Sequence, residues 1–240
     1  GLKMFKAETT GPIKEKVVPR MKETAKILWV IYLLLTSFQI LVLRILGMPF
    51  FDAVCHTFAT VATGGFSIKN NSYAFYDSAA IQWTATLFTV MAGTSFSLYF
   101  QAFKHKSIKD FWNNVEFRVY IGIISADSLA CTAVLVKHGQ TLKEALLAGF
   151  FHVSTIMTTT GFMTQDFAQW PAILQCILIL TMFIGGSAGS TSGGLKVGRI
   201  MILWQSVKTQ FKKALHPQAV VSIKVAGRTV NQDTLLNTLR

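Results

Sequence analysis

The sequence predicts an all-α integral membrane protein made of two parallel repeats, and three observations carry that prediction. Hydrophobic residues make up 51% of the chain and charged residues only 14%, whereas soluble domains carry about 25% charged residues. Four apolar tracts are long enough to cross a hydrocarbon core of about 30 Å. The second half of the chain also repeats the first, without gaps, at an offset of 96 residues.

Each predicted repeat contains an outer helix, a re-entrant pore helix with a filter strand, and an inner helix. The chain opens with a polar and basic segment, so none of the apolar tracts has the form of a cleaved signal peptide. The predicted spans are residues 26–47 and 79–103 in the repeat that covers 26–104, and residues 117–136 and 171–205 in the repeat that covers 117–209.

Basic residues are concentrated on one side of the predicted spans. Seven Lys and Arg lie before or at the first residue of the first span, four between the second span and the start of the third, and six after the fourth, whereas only four lie in or beside the loops on the other side. By the positive-inside rule, segments 1–25, 105–116 and 210–240 are predicted to be cytoplasmic, so that both ends of the chain lie inside. This distribution explains the net charge of +12 by membrane topology. The expected partners of the apolar surface are membrane lipids, and no nucleic-acid partner is indicated.

Two segments between the spans are apolar but too short to cross a membrane, residues 50–67 and 141–163. They are predicted to enter and leave on the same side, each as a pore helix followed by an extended stretch. The common offset relates His56 to His152, Thr63 to Thr159, Gly65 to Gly161 and Phe66 to Phe162.

The extended stretches are predicted to bind a cation. Non-helical backbone at membrane depth is tolerated only where it is buried in protein or lines water. Glycine lets successive carbonyl groups point the same way, and a ring of carbonyls can replace the hydration shell of an alkali cation. The candidate filter residues are Ala62, Thr63, Gly64, Gly65 and Phe66 in one repeat and Thr158, Thr159, Thr160, Gly161 and Phe162 in the other.

These stretches look like degenerate forms of the TVGYG filter of potassium channels. Together with GGSAGSTSGGLKVGR, residues 185–199, they resemble the bacterial Trk/Ktr/HKT superfamily of potassium transporters, and within it the TrkH-type membrane subunits. The resemblance covers nearly the whole chain and implies four pore repeats around a pseudo-fourfold axis. This chain carries two, which look like the second and third and would form half of a potassium-channel-like pore.

The resemblance also implies a substrate, a location and partners. The substrate is the potassium ion, with no covalently bound cofactor, and the location is the bacterial inner membrane. The implied partners are a second copy of the full-length subunit, as a homodimer, and a cytoplasmic nucleotide-binding regulatory subunit. The chain reads as a fragment, because Asn231 and the leucines after it look like a helix that begins and is cut off.

The filters depart from TVGYG at two places. Ser67 and Met163 replace the second glycine, and phenylalanine replaces tyrosine in both repeats. Fewer ordered carbonyl rings and weaker discrimination against sodium are therefore expected.

A glycine-rich stretch, residues 185–194, interrupts the fourth predicted span. As one straight helix the 35 residues of 171–205 would measure about 52 Å, which exceeds the hydrocarbon core by roughly 20 Å. The glycines are expected to break this helix, and the resemblance implies that the loop acts as a gate below the filter. Lys196 could act electrostatically at the inner mouth or could simply snorkel. The candidate gate residues are Gly185, Gly186, Ser187, Gly189, Ser190, Thr191, Gly193, Gly194 and Lys196.

Several polar residues allow two interpretations. A phosphate-binding loop is disfavoured because Val197 follows Lys196 and no strand precedes the motif. His56 and His152 could be ligands, but hydrogen-bonded packing is favoured. Asp127 is either a functional intramembrane charge or a bonding partner between helices, and both remain open. Asp77 and Asp166 could concentrate cations or cap and solvate a loop.

The sequence thus favours potassium uptake through a gated filter. The alternatives are a potassium symporter, coupled to protons or sodium, that binds its substrate at broken helices, and a structural membrane protein. No catalytic triad, metal cluster or carboxylate pair indicates an enzyme. The three cysteines, Cys55, Cys131 and Cys176, have no metal-ligand spacing and are interpreted as small packing residues.

Overall fold

A computed structural model describes residues 21–215 and two short strands at residues 224–225 and 228–229. Apart from loops and this strand pair, the described chain is helical, which confirms the predicted all-α fold class. Most of segment 1–25 and the expected cut-off helix near Asn231 lie outside the described residues.

The two halves of the chain follow the same order of elements. The first half contains α1 (Met21–Ile45), α2 (Phe50–Val61), α3 (Ala79–Ala92) and α4 (Phe96–His105), and a short helix α5 (Lys109–Asn113) joins it to the second half. The second half contains α6 (Val115–Lys137), α7 (Leu142–Met157), α8 (Ala172–Phe183) and α9 (Val197–Leu215). A 3-10 turn precedes α3 (Ser72–Phe75) and another precedes α8 (Phe167–Gln169), and β1 (Lys224–Val225) pairs antiparallel with β2 (Arg228–Thr229).

Local sequence sets several helix ends. The Asn114 side chain accepts a hydrogen bond from the Phe117 amide and so caps α6. Thr141 and Glu144 form a capping box at the start of α7. In α1, Glu23 lies in the first turn and Arg44 in the last, which complements the helix dipole at both ends.

Two of the described helices, Lys22–Ile45 and Val115–Lys137, are long and apolar enough to cross a membrane. The other two predicted spans are each divided into two shorter helices. One division, between α8 and α9, lies where the glycine-rich stretch was expected to break the helix. The other, between α3 and α4 at residues 93–95, was not predicted, and α5 lies within the segment that was predicted as loop 105–116.

The two halves pack through a shared aromatic core. Both pore helices end at matched positions, because α2 ends at Val61 and α7 at Met157. Tyr73 from the first half packs edge-on against Phe151 and Phe162 from the second, with ring centroids 5.7 and 4.8 Å apart. All three rings are buried. This core holds the residues after α2 and the residues after α7 against each other.

Candidate functional site

The two filter stretches have the same unusual backbone. Thr63 and Thr159 adopt positive φ angles of 51° and 58°, and Gly65 and Gly161 adopt 69° and 87°. A positive φ is uncommon for a β-branched residue such as threonine. Left-handed residues therefore recur at alternate positions, and they do so identically in both repeats.

The pore helices bind the filter amides. The amides of Gly64 and Gly65 both donate to the Ala59 carbonyl, at 2.8 and 3.2 Å, and those of Thr160 and Gly161 both donate to the Thr155 carbonyl, at 2.7 and 3.0 Å. In a trans peptide the carbonyl points opposite to the following amide. The carbonyls of residues 63, 64, 159 and 160 therefore point away from the pore helices, as ion-binding carbonyls must.

Gly65 lies against the neighbouring filter. A Cβ atom at this position would overlap the Thr160 carbonyl oxygen. Only glycine allows this close approach of two backbones, and the positive φ favours glycine as well. The equivalent Gly161 has no neighbour within 4 Å of such a Cβ among the described residues, so there the φ angle is the constraint.

The two filter phenylalanines differ in burial. Phe162 is 1% exposed and packs into the aromatic core, whereas Phe66 is 81% exposed. Ala62 is exposed next to the buried Thr63, while Thr158 is buried and its hydroxyl pairs with that of Thr160 at 2.8 Å.

Both predicted histidines form hydrogen bonds to their own pore helix and to residues that follow the filter. His56 Nδ1 lies 2.8 Å from the Asp52 carbonyl and its Nε2 lies 2.9 Å from Ser67 Oγ. His152 Nδ1 lies 2.9 Å from the Ala148 carbonyl and its Nε2 lies 3.1 Å from the Gln165 carbonyl. Both imidazoles are buried. These contacts favour the packing interpretation, in which each histidine joins a pore helix to the chain that leaves the filter.

A polar cluster that the sequence did not reveal surrounds the start of α2. The Tyr76 hydroxyl donates to Asp52 Oδ2 at 2.6 Å, and Lys69 Nζ lies 3.3 Å from the same oxygen and 4.6 Å from the centre of the Phe75 ring. Burial and the bond to the carboxylate raise the pKa of the Tyr76 hydroxyl, which keeps it a donor. In the sequence, the only signal of this polar cluster was an acidic residue, Asp52, in the first turn of an otherwise apolar helix.

The glycine-rich stretch forms a loop that closes on itself. Ile184 and Leu195 form a parallel bridge, and the Gly185 amide donates to the Leu195 carbonyl at 2.8 Å. The Val197 amide donates to the Gly186 carbonyl at 3.2 Å. A Cβ atom on Gly185 would overlap the Gly193 carbonyl oxygen, so the two ends of the loop lie too close together for any residue but glycine at position 185. Residues 184–196, which we call the intramembrane loop, are therefore a defined structure.

The intramembrane loop contacts both filters. Thr63 Oγ1 donates to the Thr191 carbonyl at 3.0 Å, and Thr191 Oγ1 donates to the Val61 carbonyl at 2.8 Å. The Gly193 amide donates to Thr159 Oγ1 at 2.7 Å. The loop thus binds the second residue of each filter stretch, Thr63 and Thr159, and lies across the ends at which the pore helices join the filters.

The remaining predicted loop residues hold its shape. The Gly186 amide donates to Ser192 Oγ at 2.8 Å, and Ser190 Oγ donates to the Ser187 carbonyl at 2.7 Å. Gly189 and Gly194 have positive φ angles of 74° and 68°. Lys196 is 7% exposed and its ammonium donates to the Ser192 carbonyl, so it is folded into the loop and does not snorkel.

The second helix break adds a contact surface that the sequence analysis missed. The Ser187 amide donates to the Gly93 carbonyl at 2.9 Å, and the Phe96 amide donates to the Gly189 carbonyl at 3.1 Å. A signal was present, because the AGTS of residues 92–95 recurs as AGST at residues 188–191, at the common offset of 96.

Of the three acidic residues considered in the sequence analysis, two accept hydrogen bonds from nearby groups and the third is exposed. Asp127 Oδ2 accepts a hydrogen bond from Thr181 Oγ1 at 2.8 Å, which joins α6 to α8. Asp166 accepts from the Ala168 amide and the Gln169 side chain, both at 3.0 Å, and so caps a turn. Asp77 is exposed. Within residues 21–215 no group of three or more His, Cys, Asp or Glu side chains could hold a metal ion, and the candidate cation ligands are backbone carbonyls.

Comparisons with known proteins agree on one family. Residues 2–238 match the TrkH family, described as a cation transport protein. The chain is 41% identical to the Trk system potassium uptake protein TrkH of Salmonella typhimurium over 238 residues, 98% of this chain and 49% of that protein. The TrkH of Escherichia coli strain K12 is also 41% identical, over 239 residues.

A solved structure also matches the chain. The crystal structure of the potassium transporter TrkH from Vibrio parahaemolyticus matches with a TM-score of 0.87 and 38% identity, over 92% of this chain and 48% of that one. The chain therefore spans about half the length of the relatives that it matches.

Proposed function

Because the chain belongs to the TrkH family of membrane-located cation transport proteins, we propose that it supplies two of the pore repeats through which a full-length transporter takes up potassium. The observation that carries the proposal is the paired filter backbone. Both stretches have left-handed residues at alternate positions and amides bound by a pore helix. Carbonyls that point away from the pore helices can replace the hydration shell of a potassium ion.

The filter residues of the proposal are the two stretches 62–66 and 158–162. The carbonyls of Thr63, Gly64, Thr159 and Thr160 are the proposed ligands, and potassium is the substrate. Ser67 and Met163 end each filter where a second glycine would extend it, so fewer carbonyl rings and modest rejection of sodium are expected.

The intramembrane loop is the proposed gate. Its contacts with Thr63 and Thr159 support this role, because a loop bonded across the ends of both filters lies in the path of an ion that leaves them. Opening requires the loop to release these bonds and move aside. A few hydrogen bonds, each worth about 1 kcal/mol net, are strong enough to keep the loop in the ion path and weak enough to break when the loop moves aside.

The proposed setting is the bacterial inner membrane, with both ends of the chain cytoplasmic. The basic segments on that side support the orientation. A homodimer of the full-length subunit and a cytoplasmic nucleotide-binding regulatory subunit are the proposed partners, as the family resemblance implies.

The second candidate is a potassium symporter. The breaks between α3 and α4 and between α8 and α9 contact each other, and broken helices are where symporters bind substrates. A filter needs no coupled ion, whereas a symporter moves a proton or sodium ion with each potassium ion.

Reconstitution distinguishes the two candidates. A full-length transporter that carries this chain is placed in liposomes with a low passive proton leak, and rubidium uptake, sodium uptake and internal pH are recorded together. We expect uptake that follows the potassium gradient and the voltage without stoichiometric proton or sodium movement. A fixed ratio of co-transported protons or sodium would favour the symporter, and the absence of uptake would contradict both.

A further inference from the structure

Glu116 joins three separate parts of the molecule through one carboxylate oxygen. It is the second residue of α6, and its Oε1 accepts hydrogen bonds from the Ala188 amide at 2.8 Å and from the Gly198 amide at 3.1 Å. Ala188 lies in the intramembrane loop, and Gly198 lies in the first turn of α9. A side chain of the outer helix thus holds the loop and the helix that follows the loop.

The charge of Glu116 strengthens this attachment. Hydrogen bonds to an ionised carboxylate are roughly twice as strong as those between neutral groups, and a negative charge at the start of α9 is stabilised by the helix dipole. The Lys196 ammonium is attracted to the same carboxylate. The side chain is half-buried, so water screens these interactions only in part.

We propose that Glu116 is the positioning residue that keeps the intramembrane loop docked beneath the filters. The proposal rests on the gating function proposed above and names the side chain on which the closed state depends. Glu116 moves with α6, whereas its two donors move with the loop and with α9. A displacement of α9 relative to α6 therefore breaks the bond to Gly198 and pulls on the carboxylate that also holds Ala188, which connects α9 to the gate through Glu116.

The first test replaces Glu116 in a full-length transporter that carries this chain. We expect Glu116→Ala to raise the maximal rate of rubidium uptake per inserted transporter on the order of tenfold, equivalent to about 1.4 kcal/mol. The rubidium concentration for half-maximal uptake should not change, because the filter is untouched. Glu116→Gln keeps an acceptor oxygen without the charge and should give an intermediate rate. Asp110→Ala is the matched control, since Asp110 is a nearby acid on α5 that pairs with His105, and it should behave as the parent.

A parent-like rate for Glu116→Ala at normal insertion would overturn the proposal. If Glu116→Ala fails to insert, Glu116→Gln decides, because a raised rate supports the proposal and a parent-like rate overturns it.

A second variant separates this proposal from the gating function itself. Excision of residues 187–191 removes Ala188, and adding Glu116→Ala to that excision should raise the rate no further. If the excision alone raises the rate but Glu116→Ala in the intact loop does not, only the role of Glu116 fails. If the excision does not raise the rate, the gating function fails as well.

Discussion

The Gly193 amide donates a hydrogen bond of 2.7 Å to the Thr159 hydroxyl, so the intramembrane loop is bonded directly to a filter residue. The Thr63 hydroxyl makes the matching contact, 3.0 Å long, to the Thr191 carbonyl. Both threonines have positive φ angles and precede the filter glycines. The two filter threonines that have a left-handed backbone therefore also bind the loop.

Gly65→Ala should abolish potassium uptake. The added Cβ would overlap the Thr160 carbonyl and force the two filters apart. Rubidium uptake and the amount of inserted transporter are measured together. The control is Gly122→Ala on α6, where an added Cβ meets nothing within 4 Å, and it should transport normally. Normal, selective uptake by Gly65→Ala would refute the filter assignment.

Thr191→Val should loosen the loop while preserving its volume. The Thr191 hydroxyl donates to the Val61 carbonyl at 2.8 Å and lies 3.2 Å from the Ala92 carbonyl. Loss of about 1 kcal/mol of net hydrogen bonding corresponds to roughly a fivefold higher uptake rate. The control, Thr84→Val, removes a hydroxyl that bonds to the Ala80 carbonyl of its own helix. Equal rates in the two variants would argue against a loop held by Thr191.

Asp127→Asn should leave insertion and uptake nearly unchanged. The amide oxygen of asparagine can accept the Thr181 hydroxyl as the carboxylate does. Asp127→Ala should destabilise the packing of α6 on α8 by only about 1 kcal/mol, because the Thr181 hydroxyl can still donate to the Ile177 carbonyl at 2.9 Å; the measurement is thermal stability in detergent. Loss of transport in Asp127→Asn, with normal insertion, would instead identify Asp127 as a functional charge.

Cysteines placed at Asn70 and Lys106 should be labelled from opposite sides of the membrane. Both residues are exposed, and the proposed repeat topology puts Asn70 outside and Lys106 in the cytoplasm. The background lacks Cys55, Cys131 and Cys176, and a membrane-impermeant maleimide is applied to intact cells and to inverted vesicles. Labelling of both positions from one side would disprove the topology.

The periodic and repeated features of the structure could be predicted from the sequence. The offset that relates Gly65 to Gly161 predicted two equivalent non-helical stretches, which share their positive φ angles, and the glycines at 185–194 located one helix break. The family match confirmed the resemblance drawn from the same residues. These features depend on local backbone preference, which a short stretch of sequence expresses.

The features that could not be predicted depend on contacts between distant residues. The bond of Glu116 to Ala188 joins residues 72 positions apart, and that of Thr63 to Thr191 joins residues 128 apart. The break at Gly93 was missed because one glycine in an apolar helix costs only about 1 kcal/mol, and the carbonyl that the break exposes is satisfied by Ser187, far along the chain.

The most direct test of the account is the uptake rate of a full-length transporter from which residues 187–191 have been excised. The ends of the excision already face each other, since the Gly186 amide lies 2.8 Å from Ser192 Oγ, so the base of the loop can close. The excision removes Thr191 and with it the bond to Thr63, so the loop no longer bridges the two filters even though Gly193 keeps its bond to Thr159. Rubidium uptake per inserted transporter should therefore rise while preference for potassium over sodium is retained. A transporter that inserts normally and conducts no faster than the parent would contradict the account and leave the loop a structural break in the helix.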